Sequence, residues 1–192
     1  MFKNNICNMV IGFSIFASLL LILNRDDFTF YTNKPSVIDN ADFKIETVFV
    51  NQRFPNLGVA LDGTVIATWG KDSVLARLSK DGGATWGSQI TIAETGIHGG
   101  GLIVDDFSGE IIIFVQERHP PAPTYIYRSK DSGETWKKES TTIQKDLNNN
   151  IPEMHMAEHG ISLKSGDFKG RLIRSSRVYG NETGYNLAIY SD

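Results

Sequence analysis

Ser79-Lys80-Asp81-Gly82-Gly83-Ala84-Thr85-Trp86 returns at residue 129 as Ser129-Lys130-Asp131-Ser132-Gly133-Glu134-Thr135-Trp136. Both octapeptides read S-x-D-x-G-x-T-W, and each follows a short β-rich run, residues 74–78 and 124–128. Asp and Ser side chains exchange hydrogen bonds within a tight turn, and Gly adopts backbone angles that a Cβ resists. Thr and Trp then resume a strand, with the indole free to pack inward. Each octapeptide therefore reads as a hairpin turn that locks itself. A supersecondary unit repeated at this interval makes a propeller the leading architecture.

Working outward, short apolar and alternating runs predict strands throughout. They fall at 43–50, 57–61, 64–69, 74–78 and 89–93, then 101–104, 111–116 and 124–128, then 160–163, 171–179 and 185–190. Asp62-Gly63 marks a hairpin turn in the first group. Residues 117–123, with three prolines, cannot join a ladder and form a loop. Residues 139–151 are polar and Asn-rich, a surface connection. After residue 30 there is no amphipathic helix of useful length. Trp86 and Trp136 are expected to be largely buried.

The 192 residues are 41% hydrophobic and carry a net charge of −3, which gives no electrostatic case for nucleic acid or an anionic membrane. The single cysteine, Cys7, excludes an intrachain disulfide framework and a cysteine-based metal cluster. No metal and no cofactor is expected. Residues 1–24 read as a signal peptide or membrane anchor: Lys3 precedes a continuous apolar or small run from 9 to 23. That places the domain outside the cytoplasm: secreted, periplasmic or at the cell surface. The leader, if retained, is the one expected membrane contact. Residues 25–42 read as a linker.

The octapeptide resembles the Asp-box, or BNR repeat, of the sialidase (neuraminidase) superfamily, whose members are β-propellers. In that family the box lies on outer turns away from the active site. The resemblance therefore makes Ser79, Asp81, Gly83, Thr85 and Trp86 structural, and likewise Ser129, Asp131, Gly133, Thr135 and Trp136. It implies an all-β fold in which residues 43–192 form the N-terminal part of a sialidase-type propeller. At this spacing that part holds about two to three blades. It also implies a carbohydrate-active enzyme, a sialidase-like glycoside hydrolase acting on a terminal acidic sugar.

Arg53-Phe54-Pro55 is similar to the Arg-Ile-Pro or Arg-Leu-Pro element of sialidases, whose arginine binds the substrate carboxylate. Guanidinium suits that role, because it forms two parallel hydrogen bonds and keeps its charge. The alternative is a surface arginine before a strand. Asp72 occupies a loop corresponding to that of the sialidase acid/base aspartate, although the loop is shorter here. A carboxyl there can protonate a leaving-group oxygen; otherwise Asp72 is a solvated turn residue. His98 and His119 flank a predicted hairpin at one end and could face a common pocket. That arrangement resembles propeller polysaccharide lyases that cleave ulvan, so β-elimination on a uronate polysaccharide is an alternative. Each histidine can equally be an ordinary loop residue. Of the groups around 171–179, Arg177 and Tyr179 share one face of a strand while Arg174 takes the other, which favours Arg177 and Tyr179 for substrate binding. A non-catalytic glycan-binding propeller is the third reading.

One signal is rejected. His155-Met156-Ala157-Glu158-His159 matches H-x-x-E-H, but that zinc chemistry requires a helix, and Pro152 and Gly160 flank the string. Asn181-Glu182-Thr183 is a glycosylation sequon.

Overall fold

Side chains alternate across a strand, so a strand apolar at every position needs cover on both faces. Residues 111–115 are such a run, within a strand that ends at the buried Gln116, and they organise the fold. The structure is a computed structural model that describes residues 44–153, 159–179 and 184–191. The expected leader and linker, the H-x-x-E-H string before His159 and the sequon lie outside the described residues. The described residues are all-β and contain no helix.

Three antiparallel sheets follow one another along the chain. The first runs β1 (Asn56–Val59), β2 (Val65–Trp69), β3 (Val74–Ser79) and β4 (Ile90–Ala93). In the second, β7 (Ile111–Gln116) pairs with β8 (Thr124–Ser129), and β8 with β9 (Lys137–Lys138). The other edge of β7 is covered by two pieces of one interrupted strand, β5 (Ile97–His98) and β6 (Ile103–Val104). The third sheet is β10 (Ile161–Ser162), β11 (Leu172–Val178) and β12 (Tyr185–Ser191).

Every residue of β7 is buried. Ile111, Ile113 and Val115 pack with Ile66, Val74, Ala76, Leu78 and Leu102 of the first core. Ile112 and Phe114 face the opposite way, toward Leu172 and the partly buried Ile126 and Ile189. Each such side chain contributes about 1.5–3 kcal/mol of burial. The inner strands interlock as well. A Cβ on Gly58 of β1 would lie 2.4 Å from the Leu102 side chain, and one on Gly160 would lie 2.4 Å from that of Ile103.

The two octapeptides join β3 to β4 and β8 to β9. Their internal bonding is the same. The Ser79 hydroxyl donates to Asp81 Oδ1 at 2.7 Å and accepts from Gly83 N at 2.7 Å. Asp81 then accepts from Thr85 N at 2.9 Å and from the Thr85 hydroxyl at 2.6 Å. Ser129, Asp131, Gly133 and Thr135 repeat all four bonds. The bonds from Thr85 and Ser79 hold the Asp81 carboxyl down to about 2. Gly83 and Gly133 sit at φ +96° and +94°, where a Cβ is strained.

Most strands fall where the apolar runs place them, with corrections. Residues 44–50 form no strand. Val48 and Phe49 instead pack their side chains on sheet one, the Phe49 ring stacking on Trp69 at 4.2 Å. Burial of two side chains satisfies this segment without a ladder. The two-residue strands β5 and β9 carried too short a pattern to be seen. Trp86 and Trp136 are only partly buried, because each lies across the rim of a sheet, while Trp69 is 1% exposed.

Trp69→Ala in the intact protein is expected to cost about 3–5 kcal/mol, as for a core aromatic, and Trp86→Ala less. Chemical denaturation of both variants checks the order; an equal or larger loss at Trp86 would make the turn tryptophan the anchor.

Candidate functional site

The chain rises and falls through each sheet in the same order, so one end collects the octapeptide turns and the other collects the remaining loops. Ser79, opening the first octapeptide, pairs with Val65 at one end of β2. Trp69, at the other end, pairs with Leu75. Gly70 follows, and its peptide ties three segments together. Its N–H donates to the Arg53 carbonyl at 3.0 Å, and its carbonyl accepts from His98 N at 3.1 Å. Nearby, Gly96 N donates to the Asp72 carbonyl at 3.0 Å. A side chain at Gly70 is impossible, since a Cβ would sit 2.0 Å from the Ser73 carbonyl oxygen. Arg53, Asp72 and His98 thus share the end remote from the octapeptides. His119 follows β7 and Tyr179 follows β11 at that same end, with Arg177 the last residue but one of β11.

Depth separates these residues. Arg53 is exposed, its guanidinium 4.9 Å from the centre of the Phe54 ring. Asp72 is exposed at the loop surface, its carboxylate 3.8 Å from Lys71 Nζ. His119 is exposed, with Nδ1 3.1 Å from the Pro120 carbonyl. Arg177 is partly buried and lies 4.3 Å from the centre of the Tyr179 ring. Both border a surface hollow of about 270 Å³, with Tyr185 and Asn186.

His98 is 1% exposed. Gly100 N donates to its Nδ1 at 3.3 Å, so Nδ1 carries no proton. Nε2–H therefore donates to the Thr68 hydroxyl at 2.9 Å. Burial, and then the nearby positive charge of Arg174, lower its pKa to about 3. His98 is a neutral histidine locked between sheets one and two. Arg174 is also buried: Nη1 donates to the Gly101 carbonyl at 3.3 Å, and the guanidinium lies 4.8 Å over Phe114. The sequence therefore placed the two histidines at one end but not at their different depths: His98 lies in β5, paired to β7, whereas His119 stands in the loop after β7.

One group at this end was missed. Glu153 is 6% exposed. Its N–H donates to the Arg177 carbonyl at 2.9 Å, and its own carbonyl accepts from the Ser176 hydroxyl at 2.7 Å. Burial raises its carboxyl pKa, partly offset by the charges of Arg177 and His119. It sits in a polar stretch without periodicity, so no sequence signal marked it. Among the described residues no group of three or more His, Cys, Asp or Glu is placed to hold a metal ion.

No protein-family model matches the chain. It is similar to a sialidase from Micromonospora viridifaciens, 27% identical over 179 residues covering 75% of this chain. The chain spans 28% of that sialidase's length. Among solved structures, it is similar to a Dyadobacter fermentans protein of unknown function, with a TM-score of 0.54 and 15% identity, covering 77% of this chain and 49% of that one. It is also similar to an α-L-arabinanase from Penicillium chrysogenum, at TM-score 0.47 and 14% identity, over 73% of this chain and 48% of that one.

His98 generates a pH prediction. Its folded pKa, about 3, lies below the unfolded value. The unfolded chain therefore takes up the proton first, and stability falls as pH drops below about 6.5, by about 1.4 kcal/mol per unit. The Asp81 contribution is lost only lower, as pH falls from the ordinary aspartate range through about 2. Denaturant midpoints between pH 7 and 4.5 should fall more steeply in the wild type than in His98→Gln. Parallel curves would show that His98 is not buried neutral.

Proposed function

We propose that this chain belongs to a sialidase-like glycoside hydrolase that removes a terminal acidic sugar, built on a propeller whose octapeptide turns are Asp-boxes. The three sheets are blades of that propeller, and the protein works outside the cytoplasm. The similarity to a sialidase across three quarters of the chain carries this reading. The geometry supports it: Arg53, Asp72, His119, Arg177 and Tyr179 stand at one end, and both octapeptides at the other.

In this reading Arg53 and Arg177 receive the sugar carboxylate, each able to offer two parallel N–H donors. Asp72 protonates the departing glycosidic oxygen, and a sugar laid over its loop supplies the burial that a proton donor needs. Tyr179 offers an aromatic face beside the sugar. By the family resemblance, a tyrosine nucleophile and its glutamate partner come from further sheets of the whole protein.

Elimination on a uronate polysaccharide is the second reading, and it now rests on His119 as base. Both ring nitrogens of His98 are engaged, one by Gly100 N and one by Thr68. A glycan-binding propeller without catalysis is the third.

In the intact protein, Asp72→Asn is expected to slow release of a fluorogenic leaving group from a sialoside by about 10²–10⁴-fold. No ultraviolet-absorbing unsaturated product should appear. Full activity of Asp72→Asn would sink the hydrolase reading. An unsaturated uronate product lost in His119→Ala would establish the lyase, and absence of cleavage with retained glycan binding would leave the binding module.

A further inference from the structure

Glu153 is a buried carboxyl that the reading above does not use. Its backbone is clamped to the end of β11 from both sides, by Arg177 and by the Ser176 hydroxyl. As the bridge partner of Arg177 in an antiparallel pairing, it projects from the same face. Glu153 Oε2 and Arg177 Nε are both buried, and neither has a hydrogen-bond partner among the described residues. Among the described residues, Arg177 from β11 and His119 from the loop after β7 are the charged groups whose fields reach this carboxyl.

Two carboxylates beside one guanidinium repel each other, so one of them gains a proton. We propose that Arg177 receives the carboxylate of an acidic ligand and that Glu153 takes up one proton from solvent as the ligand binds. The inference rests on the acidic-sugar reading and extends it. Before binding, an ionised Glu153 balances Arg177 in a site that burial makes costly for an unpaired charge. On binding, the ligand's carboxylate replaces Glu153 as the balancing charge, and the side chain with the unpartnered oxygen is neutralised in place. Its raised pKa makes Glu153 the group nearest to accepting that proton, and its clamped backbone keeps it beside Arg177 whichever form it takes. The site then selects a ligand bearing one carboxylate over a neutral sugar, and does so more strongly in acid.

The test is calorimetric titration of the intact protein with N-acetylneuraminic acid and with glucuronic acid. Running it in buffers of different ionisation enthalpy counts the protons taken up. Uptake approaching one proton, with affinity weakening up to tenfold per pH unit above the Glu153 pKa, is expected. His119→Gln should retain the uptake, and Glu153→Gln should bind without it and with little pH dependence. Binding without proton uptake overturns the inference, as does uptake that survives in Glu153→Gln or is lost in His119→Gln. Failure of both acids to bind at pH 5 overturns it too. The hydrolase reading is scored separately by turnover: sialoside cleavage without proton-linked binding defeats this inference alone, and proton-linked binding without cleavage defeats the hydrolase alone.

Discussion

Cover on both faces of β7 is the constraint on which the rest of the structure depends. Ile111, Ile113 and Val115 need sheet one, and Ile112 and Phe114 need sheet three. A strand with these side chains cannot stand at the surface of a domain without exposing half of them. Sheets stacked face to face by such a strand have their ends in register. Loops from different sheets then meet at common ends without long excursions. The Leu102 and Ile103 side chains, lying where Gly58 and Gly160 have no Cβ, hold the inner edges close enough for this to matter. The site is thus a consequence of core packing before it is a matter of any particular charged residue.

The octapeptides made the repeat legible because their bonding is local. Ser, Asp, Gly and Thr satisfy one another between residues two and four apart, so spacing alone encodes the geometry. Strands of four or more residues were legible for the same reason: alternation needs several residues to show. The strands β5 and β9 have two residues each and take their position from the neighbour they pair with. Residues 44–50 carried a strand-like pattern that tertiary packing used differently, laying Phe49 on Trp69. Shared placement at one end was readable from strand order, but burial was not. His98 looks like a loop histidine beside three glycines, and Glu153 looks like a residue of a polar connection. In both, a contact distant in sequence decides the character: Thr68 for one, Arg177 for the other.

The buried ionisable groups follow one electrostatic logic. Arg174 keeps its charge because guanidinium stays protonated, and it is held by the Gly101 and Ser175 carbonyls over the face of Phe114. Burial, and then the positive charge of Arg174, keep His98 neutral, and Gly100 and Thr68 fix it in one tautomer. Glu153 lies among positive groups, yet burial still raises its pKa. Desolvation therefore outweighs the attraction of Arg177 and His119 there. The same desolvation that keeps His98 uncharged raises the Glu153 carboxyl pKa, so burial favours the neutral form of both groups.

Backbone strain divides between the two ends. At the octapeptide end, left-handed angles fall chiefly on Gly82, Gly83 and Gly133, which adopt them at little cost, and Ser132 alone carries a side chain there. At the opposite end, Asn51 and Phe54 adopt φ of 57° and 58° on either side of Arg53. A bulky residue in that region costs on the order of 1–3 kcal/mol and persists only where surrounding contacts hold it. Those contacts are present: Gly70 N fixes the Arg53 carbonyl, and β1 begins at Asn56 against Thr68. The two repeated turns together carry one left-handed residue with a side chain, Ser132, whereas the short segment around Arg53 carries two, Asn51 and Phe54. The left-handed angles thus flank Arg53, whose exposed guanidinium lies 4.9 Å from the centre of the Phe54 ring, at the end where the loops carrying Asp72 and His119 also lie.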